Sequence, residues 1–324
     1  MNKSVFAICL TIGSMGCSKE DDLRPQGAER VVIQAQMPQD DDADSLTRTS
    51  MNGATASFIA GDKIGVSETL TQRSNVPYTA SGSGSSMTWT TPAATTMYWF
   101  NSTATHTFYA YYPYIAANNG NVVSIPILAN QTFGSVPDVN ADMLVAGPKT
   151  QVRGTGGNAV AFIGSAAFSH AFSLLKFTIS TSLLSTYTLK SMTLRGGNTT
   201  VSPDKPYGMF NTVNTVSTVG YDLVARTLSV TAANNTAANF SRSVTRPIAS
   251  TGLLGSIPIT VYALVLPGQY TGTGLLNPSV QVQVTSLLGG NQQTAVMPLN
   301  VTNFRPGYMY SFSVQIGNGL IDIL

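Results

Sequence analysis

In YMYSFSVQI (308–316), Tyr308, Tyr310, Phe312, Val314 and Ile316 share one face, and from Tyr310 onward apolar and polar residues alternate. Successive side chains of an extended chain point to opposite sides, and the pattern predicts a half-buried strand. Comparable runs recur at HTFYAYYPY (106–114), VVSIPIL (122–128), FSLLKFTIS (172–180) and YTLKSMTLR (187–195). They continue with YDLVARTLSV (221–230), IPITVYALVL (257–266) and VQVQVTSLL (280–288), and Gly, Pro and Asn stand between most of them. Those are the residues that tight turns require. No segment keeps a 3.6-residue period, and no internal repeat of roughly 20–50 residues is visible. The fold expected is all-β, with mostly antiparallel strands in two successive β-sandwich-like domains.

A shorter run stands apart near the N-terminus. In VVIQAQM (31–37), Val31, Ile33, Ala35 and Met37 face one way, while Val32, Gln34 and Gln36 face the other. Pro38 and the run DDDAD end it, and SLTRTS then presents Arg48 and Thr49 in a polar stretch open to a trypsin-like protease. RGGNTTVSPDKPYG (195–208) interrupts the later strands and predicts a division into domains 49–195 and 196–324. ASGSGSS (80–86) reads as a hairpin tip rather than a domain linker.

The first residues, MNKSVFAICLTIGSMGCSKEDD, predict an export signal over 1–16. Lys3 supplies its positive start, and Val5 to Ile12 form an apolar core. That core falls short of the roughly 20 residues a membrane-spanning helix needs. Gly13, Ser14 and Gly16 suit a signal peptidase, and Cys17 follows directly, the order of a bacterial lipoprotein whose new N-terminal cysteine is acylated. Ser14 stands where leucine is preferred, and an ordinary secretory signal with an incidental cysteine is the alternative. Both cysteines, Cys9 and Cys17, fall within this leader region. The body of the chain therefore has no disulfide, zinc-thiolate site or cysteine nucleophile.

Composition narrows the function. Charged residues are 10% of the 324, and glutamate occurs only at Glu20, Glu29 and Glu68. Glutamate and lysine, two of the helix formers, are thus scarce. Residues 18–48 carry eight acids against four bases, net −4, and residues 49–324 seven acids against twelve bases, net +5. The bases are dispersed without aromatic interleaving, which gives nucleic-acid binding no support. His106 and His170 both lie in aromatic-rich β-runs, and no GxSxG occurs, so a catalytic triad is not expected. Past residue 48 the carboxylates are Asp62, Glu68, Asp138, Asp142, Asp204, Asp222 and Asp322, too scattered to predict a glycosidase pair. Asp62 reads as a turn residue. Asp138 and Asp142 could hold calcium with Asn140, yet no loop with a closing glutamate follows, so neither metal nor cofactor is expected. GTGG (154–157) lacks the lysine of a phosphate loop. Trp89, Tyr98, Trp99 and Phe100 either pack in a core or stack on a sugar.

GDKIGV (61–66), FYAYYPY (108–114), DMLVA (142–146), FSHAFSLLKFTI (168–179), VYALVLPG (261–268) and FRPGYMYSFSVQI (304–316) occur in an order that resembles the fimbrillin-like proteins of Bacteroidales, subunits of type V pili. The resemblance implies two transthyretin-like β-sandwich domains, export as an outer-membrane lipoprotein, and a non-enzymatic role at the cell surface. It also implies an arginine-specific protease, which carries over to the Arg48–Thr49 bond, and a removable strand, which carries over to 31–37. A neighbouring subunit's strand would then fill the gap, giving head-to-tail polymers of the same or different subunits. Leu320, Ile321, Ile323 and Leu324, in the short tail GNGLIDIL (317–324), are the candidate donor strand. A monomeric lipoprotein that binds carbohydrate or protein at the surface, and keeps its first strand, is the rival reading.

Overall fold

A computed structural model describes residues 29–37, 58–82, 87–126, 143–154, 158–181, 187–195, 218–229, 258–269, 279–286, 292–301, 303–316 and 321–323. Its regular structure is almost entirely β, with only two short 3₁₀ turns, Ala93–Thr95 and Gly164–Ala166, among the described residues.

The N-terminal half is built on a six-stranded antiparallel sheet. Its order is Thr88–Thr90 (β4), Arg73–Ser81 (β3), Lys63–Glu68 (β2), Thr105–Tyr112 (β5), Leu144–Val152 (β7) and Ser169–His170 (β9). β3 and β4 pair directly, as the hairpin expected around 80–86 requires. The alternation within each strand sorts side chains to two cores. Ile64, Val66, Phe108, Ala110, Leu144 and Ala146 join Trp99 and Phe162 in the first. Tyr109, Tyr111 and Val145, from the same strands, and Met143, just ahead of β7, join another on the opposite face. Gly65 is explained by that second face: a Cβ there would meet the Tyr111 ring and the Asn75 side-chain oxygen. A two-stranded parallel ribbon, Val32–Ala35 (β1) with Ala159–Phe162 (β8), adds to the first core.

The C-terminal half holds a four-stranded sheet in the order Ile259–Val265 (β14), Ser173–Thr181 (β10), Met309–Ile316 (β19) and Ile321–Ile323 (β20). A three-stranded sheet of Tyr187–Arg195 (β11), Ser279–Ser286 (β16) and Gln292–Pro298 (β17) contributes to the same core. Leu175, Phe177, Ile179, Val261, Ala263, Phe312, Val314, Val280, Val282 and Val284 meet there. Gly268–Gln269 (β15) and Asn303–Phe304 (β18) form a small ribbon, and Phe304 closes that core.

A third core joins the halves. Tyr109, Tyr111 and Val145 of the six-stranded sheet share it with Leu174, Tyr262 and Leu264 of the four-stranded one. A small sheet contributes as well, made of Thr227–Ser229 (β13), Thr218–Asp222 (β12) and Val122–Pro126 (β6). Arg226 completes the joint, its guanidinium donating to the Gly147 carbonyl at 2.7 Å and the Ser169 hydroxyl at 3.0 Å.

The structure redraws three expectations. A division at 195/196 would sever β10 and β11 from their partners, since β10 pairs with β14 and β19, and β11 with β16. The two strands complete the C-terminal core, which is why they turn toward it despite preceding the turn-rich 195–208 stretch. YDLVARTLSV is a hairpin rather than one strand: Asp222 Oδ1 accepts the N–H groups of Val224 and Ala225, folding the chain back. Tyr308 leaves the face expected for it and is 54% exposed, because RPGY makes the turn ahead of β19. From Phe312 onward the alternation holds, with Phe312, Val314 and Ile316 buried.

Candidate functional site

Residues 29–37 occupy a slot in the N-terminal half. Val31, Ile33 and Met37 are buried in the first core, Ile33 to 1% exposure, whereas Val32 is 48% exposed. Ala35, on the inward face, is only partly buried. The burial thus follows the alternation of VVIQAQM, although the regular strand is confined to Val32–Ala35.

The backbone of this segment bonds to both walls of the slot. On one side Val31 N–H donates to Met97 O at 3.0 Å, Trp99 N–H donates to Glu29 O at 3.0 Å, and Arg30 bridges Tyr98. On the other, β1 runs parallel to β8, Gln36 N–H donates to Phe162 O at 3.2 Å, and Phe168 N–H reaches Gln36 O at 3.4 Å. Tyr78 donates its hydroxyl to Val31 O at 3.3 Å from within the core, and burial pushes that phenol well above its ordinary pKa. At the mouth, Arg153 Nε sits 3.0 Å from Glu29 Oε2.

Removing the segment would uncover the N–H groups of Trp99 and Phe168, the carbonyls of Met97 and Phe162, and the free side of β8. Buried backbone groups without partners are costly, and an open strand edge pairs readily with another chain. Losing three buried aliphatic side chains forfeits about 1.5–3 kcal/mol each. The slot therefore requires an occupant.

A buried polar cluster supports one wall. The Glu68 carboxylate accepts the N–H groups of Leu70 and Thr71, each at 2.7 Å, and the Thr71 hydroxyl, which turns the chain out of β2. Glu68 Oε1 also takes His106 Nδ1 at 3.1 Å, and the His106 ring meets Trp99 edge-on at 5.0 Å. Glu68 and His106 are nearly fully buried. Only their positions in the tertiary fold reveal this pair; in sequence Glu68 stands between Ser67 and Thr69, and His106 between Thr105 and Thr107, with nothing to link them.

The other candidates fall elsewhere. Asp62 holds a turn, with Oδ2 accepting Ile59 N–H and Oδ1 the Tyr112 hydroxyl, each at 2.9 Å. Asp322 stands opposite Gln315 in β20. Trp89 and Trp99 are buried, so neither offers a face to a sugar, while Phe100 is 64% exposed. Ile321 and Ile323 lie in β20, an edge strand paired antiparallel with β19 of the same chain. Cys17, Arg48, Thr49, Asp138, Asp142, Asp204, Leu320 and Leu324 lie outside the described residues. Among the described residues no group of three or more His, Cys, Asp or Glu could hold a metal ion.

A family model described as fimbrillin-like matches residues 47–323. In fold the chain is similar to a candidate cell adhesion protein from Bacteroides uniformis, with a TM-score of 0.57 at 16% identity, covering 93% of this chain and 97% of that one. It is similar to another from Bacteroides ovatus, with a TM-score of 0.53 at 16% identity, covering 92% of this chain and 95% of that one. No curated protein matches the chain in sequence.

Proposed function

The chain belongs to the fimbrillin-like family, and from that premise we propose that it is an adhesive pilus subunit assembled by exchange of its first strand. Membership makes it a structural protein of the cell surface, not an enzyme. In this reading the precursor is exported as a lipoprotein through Cys17 and cut by an arginine-specific protease between Arg48 and Thr49. Segment 31–37 then leaves, and a strand from a neighbouring subunit takes its place.

The observation that carries the reading is the seating of 29–37: buried side chains on one face, and backbone bonds to both walls. A strand in the same chain competes at a higher effective concentration than one on a separate molecule. A cut at Arg48 abolishes that advantage, and a strand offered by an adjoining subunit can then win without any other source of energy. The contact is heterologous, so it propagates as a filament instead of closing. Arg30 is a poorer scissile site, because Val31 is buried and its N–H is already bonded to Met97 O. The matched family body begins at residue 47, beyond the seated segment, which suits a division of the chain near Arg48.

β20 lies on the edge of its own sheet, and serving as a donor would require it to part from β19. Treating the purified precursor with an arginine-specific protease tests the whole reading. Mass spectrometry is expected to show a single early cut after Arg48, and native gels a ladder of oligomers. A cut chain that keeps 31–37 bound and stays monomeric at any concentration refutes it.

A further inference from the structure

The backbone ladder of the slot is blind to sequence, since any extended chain presents the same N–H and C=O groups. Selection among incoming strands must come from side chains. Val31, Ile33 and Met37 define three closed apolar positions, whereas the exposed Arg30, Val32 and Gln34 impose little. Aliphatic strands are common in β-proteins, so this filter alone is coarse.

Arg153 supplies a second filter. It stands one residue beyond the end of β7, and its Nε is 3.0 Å from Glu29 Oε2, two residues ahead of the first buried position. The two side chains are 29% and 36% exposed, so the pair is half shielded from water. Among the described residues, no other acid is salt-bridged to Arg153. Acids are scarce beyond the slot, seven in residues 49–324, so few alternatives exist. When 29–37 departs, the Arg153 guanidinium loses its carboxylate partner at the slot mouth.

Resting on the strand-exchange reading above, we propose that Arg153 is a specificity-determining residue that selects incoming strands carrying an acid two positions before their first buried side chain. The preferred partner is therefore a strand of another subunit with acid at its first position and aliphatic residues at the third, fifth and ninth, the spacing of Glu29, Val31, Ile33 and Met37. A basic residue at the first position would be repelled by Arg153 itself.

The test uses the full-length precursor, cut with the arginine-specific protease, after which the protease is inhibited. Fluorescent peptides are added: the native sequence of 29–37, the same with Glu29→Lys, and the same with Ile33→Asp. Uptake is read by anisotropy. The Glu29→Lys peptide is expected to bind about threefold or more weakly than the native one, as half-exposed pairs allow. That gap should narrow at high salt, where screening shortens the reach of the charges. The Ile33→Asp peptide should not bind. Arg153→Glu in the protein should invert the preference, and Arg153→Gln should abolish it. A preference between the two charge forms that is indifferent to Arg153→Glu and Arg153→Gln overturns the role of Arg153 while leaving strand exchange intact. If none of the peptides enters after a verified cut at Arg48, the exchange reading itself falls.

Discussion

Two short strands at opposite ends of the described chain, β1 and β20, are held in opposite ways. β1 lies in a slot with bonds to both walls, and the segment that contains it buries three apolar side chains in a core shared with sixteen other buried residues from six other strands and their loops; its β-partners, 97–99 and 158–162, are distant in sequence. β20 pairs on one side only, with β19, from which four residues separate it. A locally paired edge strand forms cheaply, because little loop entropy is spent in closing it, and it leaves as cheaply. A strand pinned by distant walls forms only once those walls exist. The first arrangement suits a peripheral element, and the second suits a plug whose loss changes the molecule.

That contrast can be broken most forcefully at Ile33. Ile33→Asp places a carboxylate at a position 1% exposed and is expected to destabilise the precursor by about 4 kcal/mol, since an unpaired buried charge is among the most damaging changes. Removing residues 321–323 should cost under about 1 kcal/mol, as is usual for peripheral changes. Urea denaturation of the two variants compares them directly, and equal losses would erase the distinction between the strands.

A smaller effect is expected at the wall. Glu68→Gln exchanges a carboxylate that accepts from Leu70, Thr71 and His106 for an amide that must present one donor to the same crowd. The loss should be about 1–3 kcal/mol, the range for a buried polar group deprived of a charged partner. Trp99 lies beside His106 and anchors Glu29 O, so amide exchange at Trp99 should quicken with it. Protection at Trp99 identical to the parent's would separate the cluster from the slot.

The smallest effect is Tyr78→Phe, which deletes one hydrogen bond to Val31 O and should cost about 0.5–1.5 kcal/mol. The native phenol, buried and raised in pKa, also contributes stability that is complete below the usual tyrosine range. As pH climbs past that range the unfolded chain ionises first, and stability falls; the Phe variant should lack this share of the alkaline loss. Melting curves at rising pH for the two proteins measure it.

Much of the fold was legible because it rests on period-two alternation. VVIQAQM shows its inward face in its spelling, and the burial of Val31, Ile33 and Met37 follows it. Asp62 announced its turn, and the tryptophans behaved as core residues. Strands buried on both faces were legible as strands, yet VYALVLPG does not say which core receives Val261 and which Tyr262. The Glu68–His106 pair and the Glu29–Arg153 pair left no signal, since each joins residues far apart in sequence.

The amino-acid sequence by itself determined that this protein would be built of short strands, that its halves would carry separate apolar faces, and that residues 31–37 would bury one side. Those properties depend on neighbours along the chain, where side-chain direction reverses at every residue. Only the tertiary structure decided that 31–37 runs parallel to β8, that β10 and β11 serve the C-terminal core, and that Arg153 meets Glu29. Partners, direction and register are chosen by which distant surfaces must be shielded from water together, and no local pattern carries that information.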